Sequence, residues 1–181
     1  MILDTFDLNG KKMLIRYPKL SDYKELRKFY NKTIEESLNK GGQLSSIKPV
    51  TPKQEKEWTK RAVESIKKKN SVYILAEANG KIIGSASVER VRNAHGHVGT
   101  FGIVILEKFT GKGFGKKLMS KTIALAAKEL KIEIIKLGVF GNNIRAHKLY
   151  TKMGFKEVGK IKNGIKVNGK YQDDITMVKY L

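Results

Sequence analysis

Phe101-Gly-Ile-Val-Ile-Leu106 is an apolar run, Thr110-Gly-Lys-Gly-Phe-Gly115 is a glycine-rich turn, and the helical periodicity beginning there continues to Leu130. Strand, turn and helix N-terminus in that order form a cradle for phosphate. Glycine lets the backbone approach an anion without Cβ interference. The first helical turn leaves amide N–H groups unpaired at the positive end of the macrodipole. Lys112, Lys116, Lys117 and Lys121 add formal charge nearby. A phosphate-bearing ligand is the first expectation, and spacing decides which one.

A Walker-type loop needs four residues between its first glycine and a Gly-Lys-Ser/Thr end. Gly111 and Gly115 are separated by three, and Lys116 is followed by Lys117, with no hydroxyl to hold magnesium. A dinucleotide fingerprint needs an acid at the end of the next strand, about 20 residues on. That strand, Ile134-Ile-Lys-Leu-Gly-Val-Phe140, ends in Gly141-Asn142-Asn143, and Glu133 precedes it. Neither cradle fits.

Further along lies Asn143-Ile-Arg-Ala146-His-Lys-Leu-Tyr150-Thr-Lys-Met-Gly154-Phe155. A glycine turn opening a helix, then a strand, then N-x-x-A-x-x-x-Y-x-x-x-G-F resembles the GNAT family of acetyl-CoA-dependent N-acetyltransferases. The tail, Gly169-Lys-Tyr171-Gln-Asp173-Asp174-Ile-Thr-Met177, resembles the ending of members near the ribosomal-protein and small-amine acetyltransferases. The likeness is sharpest over residues 95–181 and rests mainly on element order before that. It implies a single α/β domain over residues 1–181. The implied sheet is mixed, twisted and six- to seven-stranded, with about four helices and splayed central parallel strands. The implied activity is acetyl transfer to a primary amine of a protein, amino acid or small metabolite, with acetyl-CoA as cosubstrate. Resemblance to the family is also compatible with a homodimer.

Composition fits that frame. At 181 residues with 40% apolar content the chain can bury one core. No run of about 18 apolar residues occurs, so no transmembrane helix and no membrane partner are expected. The first residues lack the basic and apolar blocks of a signal peptide. With no cysteine, neither disulfides nor thiol chemistry arise, and a cytoplasmic location is the default. Three histidines without ligand spacing give no metal site. The net charge of +20 has two readings: a surface for nucleic acid or an acidic substrate, or general lysine usage. Only Arg16, Arg27, Arg61, Arg90, Arg92 and Arg145 are arginines, and lysine is spread along the whole chain. Phosphate clamps and base readers favour arginine's planar fork, so nucleic acid is the weaker reading.

Local signals give the element order. Lys12 to Tyr17 reads as the first strand, ended by Pro18. Asp22 to Glu25 has capping-box spacing before a helix. Thr51-Pro-Lys-Gln54 is a second helix start, with a proline at the first helical position. Asn79-Gly80 joins strands 72–78 and 81–90 as a hairpin. A third strand runs from about His97 to Leu106, a helix from Gly113 to Leu130, and a strand from Ile134 to Phe140. A short helix covers 145–153 and ends at Gly154. Residues 155–159 and 174–180 are the last strands, around an Asn-Gly turn at 168–169. The order describes one mixed α/β sheet.

By resemblance, Ile103, Val104 and Ile105 would bond the pantetheine arm through their backbone, although their side chains by themselves say only buried strand. Thr110, Gly111, Lys112, Gly113, Phe114, Gly115 and Lys116 would wrap the pyrophosphate. Thr110 stands where the family usually carries Gln or Arg. Asn143 would bond near the pantetheine arm, and is equally a good helix cap. Tyr150 matches the tyrosine suited to protonate the departing thiolate. A phenol with a pKa near 10 is neutral at pH 7 and can act as that acid. Spacing alone also places Tyr150 on a buried helix face with Ala146, Leu149 and Met153. Many members carry a glutamate on the strand before the cradle as general base, and Val98-Gly-Thr-Phe101 has none. His95, His97, Glu77, Glu89, Asp173 and Asp174 remain as candidates. The two tail acids are adjacent on a strand, so at most one can face the site. Residues 41–49 fall where the family shapes its acceptor pocket. Thr110 and the missing glutamate leave a second reading, a non-catalytic basic module on a GNAT-like scaffold that binds nucleic acid or an acidic partner.

Overall fold

The computed structural model describes residues 2–8 and 10–181. One sheet of eight strands runs through it: β1 (Ile2–Leu8), β2 (Lys11–Arg16), β3 (Ser71–Ala78), β4 (Lys81–Arg90), β5 (Val98–Ile105), β6 (Ile134–Phe140), β7 (Lys156–Val167) and β8 (Lys170–Tyr180). Their spatial order is β1-β2-β3-β4-β5-β6-β8-β7. Four α-helices flank it: α1 (Tyr23–Leu38), α2 (Pro52–Lys67), α3 (Phe114–Leu130) and α4 (Ile144–Lys152).

Local chemistry explains most element ends. Thr51 Oγ1 accepts from Gln54 N, while the Gln54 side chain reaches back to the Thr51 amide, closing a capping box at α2. Asn79 and Gly80 turn with φ of 49° and 71°, the pair of positive angles a two-residue hairpin requires. Asn168 and Gly169 repeat this between β7 and β8. Asp22 departs from the expected cap. A short 3₁₀ turn precedes α1, and the Asp22 carboxylate accepts from Lys19 N at 2.7 Å and from the Arg16 guanidinium at 2.6 and 3.0 Å. An arginine fork outcompetes the helix amides for it.

The sheet exceeds the expected six to seven strands because residues 2–8 form an edge strand, antiparallel to β2. β7 and β8 also run longer than the pattern indicated. β7 is exposed over its first nine residues, so no buried face imposes alternation on its lysine-rich sequence.

Strand alternation divides the core in two. Val72, Ile74 and Ala76 face α3 with Phe114, Leu118 and Met119, while Tyr73 and Leu75 face α1 with Leu26 and Phe29. Each fully buried side chain contributes about 1.5–3 kcal/mol. The decisive irregularity lies at the centre. β5 and β6 are parallel and pair only through Val98–Thr100 with Ile134–Lys136. Beyond that point β5 stays with β4 and β6 stays with β8, so the two strands part.

Candidate active site

The parting opens a cavity of about 820 Å³. Phe101 to Ile105 form one arm and Gly138 to Phe140 the other; Thr110 and Gly115, the α1 residues Thr33, Glu36 and Ser37, and Gln43, Leu44, Ser45 and Ile47 also line it. Of the residues singled out in the sequence, Ile103, Val104, Ile105, Thr110, Gly115, Asn143 and Tyr150 all line it.

The cradle is built on backbone angles. Gly111 and Gly113 both sit at φ 77° with open space where a Cβ would be, so glycine is required for conformation rather than for room. Gly113 caps α3 without a side-chain bond, and the Lys117 amide is the first to reach back, to Gly113 O at 3.2 Å. The amides of Phe114, Gly115 and Lys116 therefore precede the first helical acceptor. Gly115 has the opposite reason: a Cβ there would lie 3.3 Å from both Ile105 and Leu149. The Phe114 ring is 1% exposed and packs on Gly84, so only its amide is available to the cradle. Lys112 and Lys116 are exposed beside the turn, and Lys116 lines a shallower cavity with Lys117 and Lys121. Of the predicted cradle, Thr110 and Gly115 line the central cavity and Gly113 and Lys116 the second one, while Gly111, Lys112 and Phe114 line neither. The uncapped amides, left-handed glycines and exposed lysines of this turn fit a diphosphate ester.

Tyr150 is 7% exposed, edge-on to Phe101 at 6.4 Å and tilted on Phe155 at 6.2 Å. Burial pushes its phenol up to about 12, which keeps it protonated at neutral pH. Asn143 Oδ1 accepts from Ala146 N at 3.2 Å, so it caps α4 while also lining the cavity.

Among the base candidates, only Asp174 lines the cavity. Glu77 is paired with Arg16 at 2.9 Å. His95, His97 and Glu89 are exposed near the paired ends of β4 and β5, before the split. Asp173 faces away, accepting from Asn163 N at 3.1 Å with Lys160 at 3.7 Å.

Sequence reading missed a charged hub. Arg145 donates to both Glu107 oxygens at 2.7 and 2.8 Å and to Thr110 Oγ1 at 2.8 Å; Lys40 Nζ lies 2.6 Å from Glu107. The Arg145 guanidinium, with Lys40, holds the Glu107 carboxyl down at about 2. Glu36 accepts from Glu107 N at 2.9 Å. Arg145 was visible inside the Asn143–Phe155 element, but its partners lie 35 to 38 residues away. Part of the 41–49 segment lines the cavity as a roof, and the bonds that hold it were not readable in the sequence. Ser37 Oγ accepts from Gln43 N and Leu44 N, Gln172 Nε2 donates to Gly41 O at 2.8 Å, and Asn142 Nδ2 donates to Gly42 O at 3.2 Å.

Comparison with known proteins accords with this geometry. The profile of the acetyltransferase (GNAT) family matches residues 31–155. The chain belongs to the GNAT acetyltransferase family. YwnH of Bacillus subtilis, whose name assigns it provisionally to phosphinothricin acetylation, is 28% identical over 163 residues, covering 89% of this chain and 94% of its own. AaaT of Escherichia coli, named an L-amino acid N-acetyltransferase, is 30% identical over 59% of this chain and 66% of its own. A GNAT acetyltransferase structure from Streptococcus pneumoniae superposes with a TM-score of 0.80 at 26% identity, covering 93% of this chain and 99% of that one. Solved structures sharing the fold are described with acetyl-CoA or coenzyme A. This GNAT chain is thus an N-acetyltransferase with acetyl-CoA as acyl donor. No helix among the described residues is long and apolar enough to cross a membrane.

Proposed function

We propose that this GNAT enzyme transfers the acetyl group directly to a primary amine of a protein, an amino acid or a small metabolite. The observation that carries the reading is the continuity of one cavity, from the uncapped α3 N-terminus through the split sheet to the roof over α1. Donor and acceptor can meet there without a covalent enzyme intermediate. Bound acetyl-CoA supplies an activated thioester. Thr110 to Lys116 hold its phosphates, and Ile103 to Ile105 offer backbone groups that no longer pair with β6. Tyr150, neutral and reaching the cavity, donates a proton to the leaving sulfur.

Calorimetric titration of acetyl-CoA at about 150 mM salt, with ADP as anionic control, tests the donor site while damping lysine steering. Saturable one-site binding much tighter than ADP, followed by thiol release with an amine panel, is the expected result. Weak binding matched by ADP would reduce the cradle to a basic patch and favour the binding-module reading.

A further inference from the structure

Three carboxylates line the cavity: Glu36, Glu107 and Asp174. Two are engaged. Glu107 is bound by Arg145 and Lys40, and Glu36 accepts from the Glu107 amide. Among the described residues Asp174 has neither an ion pair nor a hydrogen bond through its side chain, although it stands between two well-ordered strands. Its neighbour Asp173 is held on the opposite face by Asn163 N and Lys160.

The register fixes where Asp174 points. β8 stays paired with β6 beyond the split, placing Asp174 opposite Phe140 and Thr176 opposite Gly138. Alternation then puts the Asp174 side chain on the face of Gly138 and Phe140, and its Oδ1 lies 3.9 Å from where a Gly138 Cβ would be. Val139 and Tyr150 pack on the other face, against α3 and α4. Gly102 occupies the equivalent face of β5, between Phe101 and Ile103 of the α3 core. Just past the split, therefore, both arms present glycine toward α1. A narrow acceptor lying beneath the roof can pass its nitrogen between Gly102 and Gly138, with Tyr150 on the far side and Asp174 at its flank.

We propose that Asp174 is the carboxylate that binds the acceptor's ammonium group and takes the first of its protons. This rests on the acetyl-transfer reading above. A primary amine with a pKa near 10 arrives charged and is not a nucleophile until it loses a proton. In a chain of net charge +20, long-range electrostatics repel that cation, so a local carboxylate must offset the repulsion. In the transfer an N–C bond forms and the thioester C–S bond breaks. The nitrogen loses two protons. One reaches Asp174 and passes to solvent; the other leaves to solvent while Tyr150 protonates the sulfur and is refilled from solvent. One proton is released in total.

The test uses Asp174→Asn, which preserves side-chain size. Acetyl-CoA affinity and melting temperature stay within about twofold and about 1 °C of wild type, because Asp174 holds no structural partner. Calorimetric binding of spermidine, L-methionine and an alanine-initiated peptide to the coenzyme A-saturated protein identifies the acceptor. For that amine, the affinity falls about tenfold in the variant, and kcat/KM falls about 100-fold. Asp174→Glu restores part of both. Wild-type values for Asp174→Asn in both measurements would overturn the proposal. If the wild type binds acetyl-CoA but neither binds nor acetylates any of these amines, the acceptor role of Asp174 falls and the donor site stands. If it does not bind acetyl-CoA, the acetyl-transfer reading fails first and this inference with it.

Discussion

Tyr150 and the two left-handed glycines carry the residue-scale predictions. The Tyr150 ring is held by Phe101 and Phe155, while its hydroxyl makes no hydrogen bond among the described residues. Tyr150→Phe therefore leaves packing intact and removes only the acid. We expect kcat to fall about 100-fold with acetyl-CoA affinity within about twofold, measured by thiol release and calorimetry. Unchanged turnover would remove Tyr150 from the reaction. Gly113→Ala has the complementary signature. A Cβ meets no atom within 4 Å there, but φ 77° disfavours any L side chain by about 1 kcal/mol. Its cost falls on the turn that presents the α3 amides, so acetyl-CoA affinity drops several-fold while the melting temperature moves little. These positions were legible in the sequence because their signal is local: glycines at fixed offsets, and a tyrosine inside a thirteen-residue element. Asp174 was only half legible. Alternation allowed at most one of the two adjacent acids to face the site, and whether and which depends on a register with β6 across 34 residues of separation.

At the scale of elements, the roof and the second helix make opposite demands. Gly42 sits at φ 79°, and a Cβ there would lie 2.6 to 2.9 Å from the Val167 side chain. Gly42→Ala should lift the roof from β7, raising the acceptor KM several-fold while leaving acetyl-CoA binding unchanged, as steady-state kinetics with varied amine will show. None of the roof's ties was readable beforehand. Asn142 to Gly42 spans 100 residues and Gln172 to Gly41 spans 131, and no periodicity encodes such pairs. In α2, Glu55 is 2% exposed and its Oε1 has no hydrogen-bond partner. Desolvation pushes its carboxyl up to about 7. The unfolded chain ionises this group near its ordinary value, about 4.3, whereas the folded chain keeps the proton to about 7. Between those limits the native state binds more protons, so this contribution to stability is complete at low pH and is lost as pH rises to about 7. Glu55→Gln should raise the melting temperature at pH 8, by a stability gain on the order of 3–4 kcal/mol, and change it little at pH 4. Equal shifts at both values would show that the carboxyl titrates normally.

For the whole molecule, charge and topology separate cleanly. The Arg16–Asp22–Glu77, Glu107–Arg145–Lys40 and Lys160–Asp173 contacts absorb acids, and most lysines remain at the surface. A molecule of net charge +20 will attract polyanions by counterion release, with affinity falling steeply as salt rises. Retention on heparin should therefore vanish with added salt well before acetyl-CoA binding does, because the cradle depends on oriented amides as well as charge. Loss of both together would mean that the cradle has no geometry of its own. The mixed sheet, the cradle strand and the central helix followed from local pattern. β1 and the full length of β7 did not: β1 packs Leu3, Phe6 and Leu8 on the core but a bulge between Ile2 and Asp4 breaks its alternation, and most of β7 has no buried face to impose one.

The split sheet also bears on descent within the family. One rim of the opening is drawn from β5, the glycine turn and α3; the far rim comes from α1, residues 40–47 and the β7–β8 hairpin. The two rims draw on different elements, and one charged hub ties them: Glu107, just after β5, meets Glu36 and Lys40 on the far side and Arg145 beside Thr110. Mutations in the far rim away from Lys40 and Glu36 leave the contacts of the donor turn in place. A lineage can thus inherit one way of holding its acyl donor while drifting from acceptor to acceptor, and the hinge of the sheet is the seam along which that drift runs.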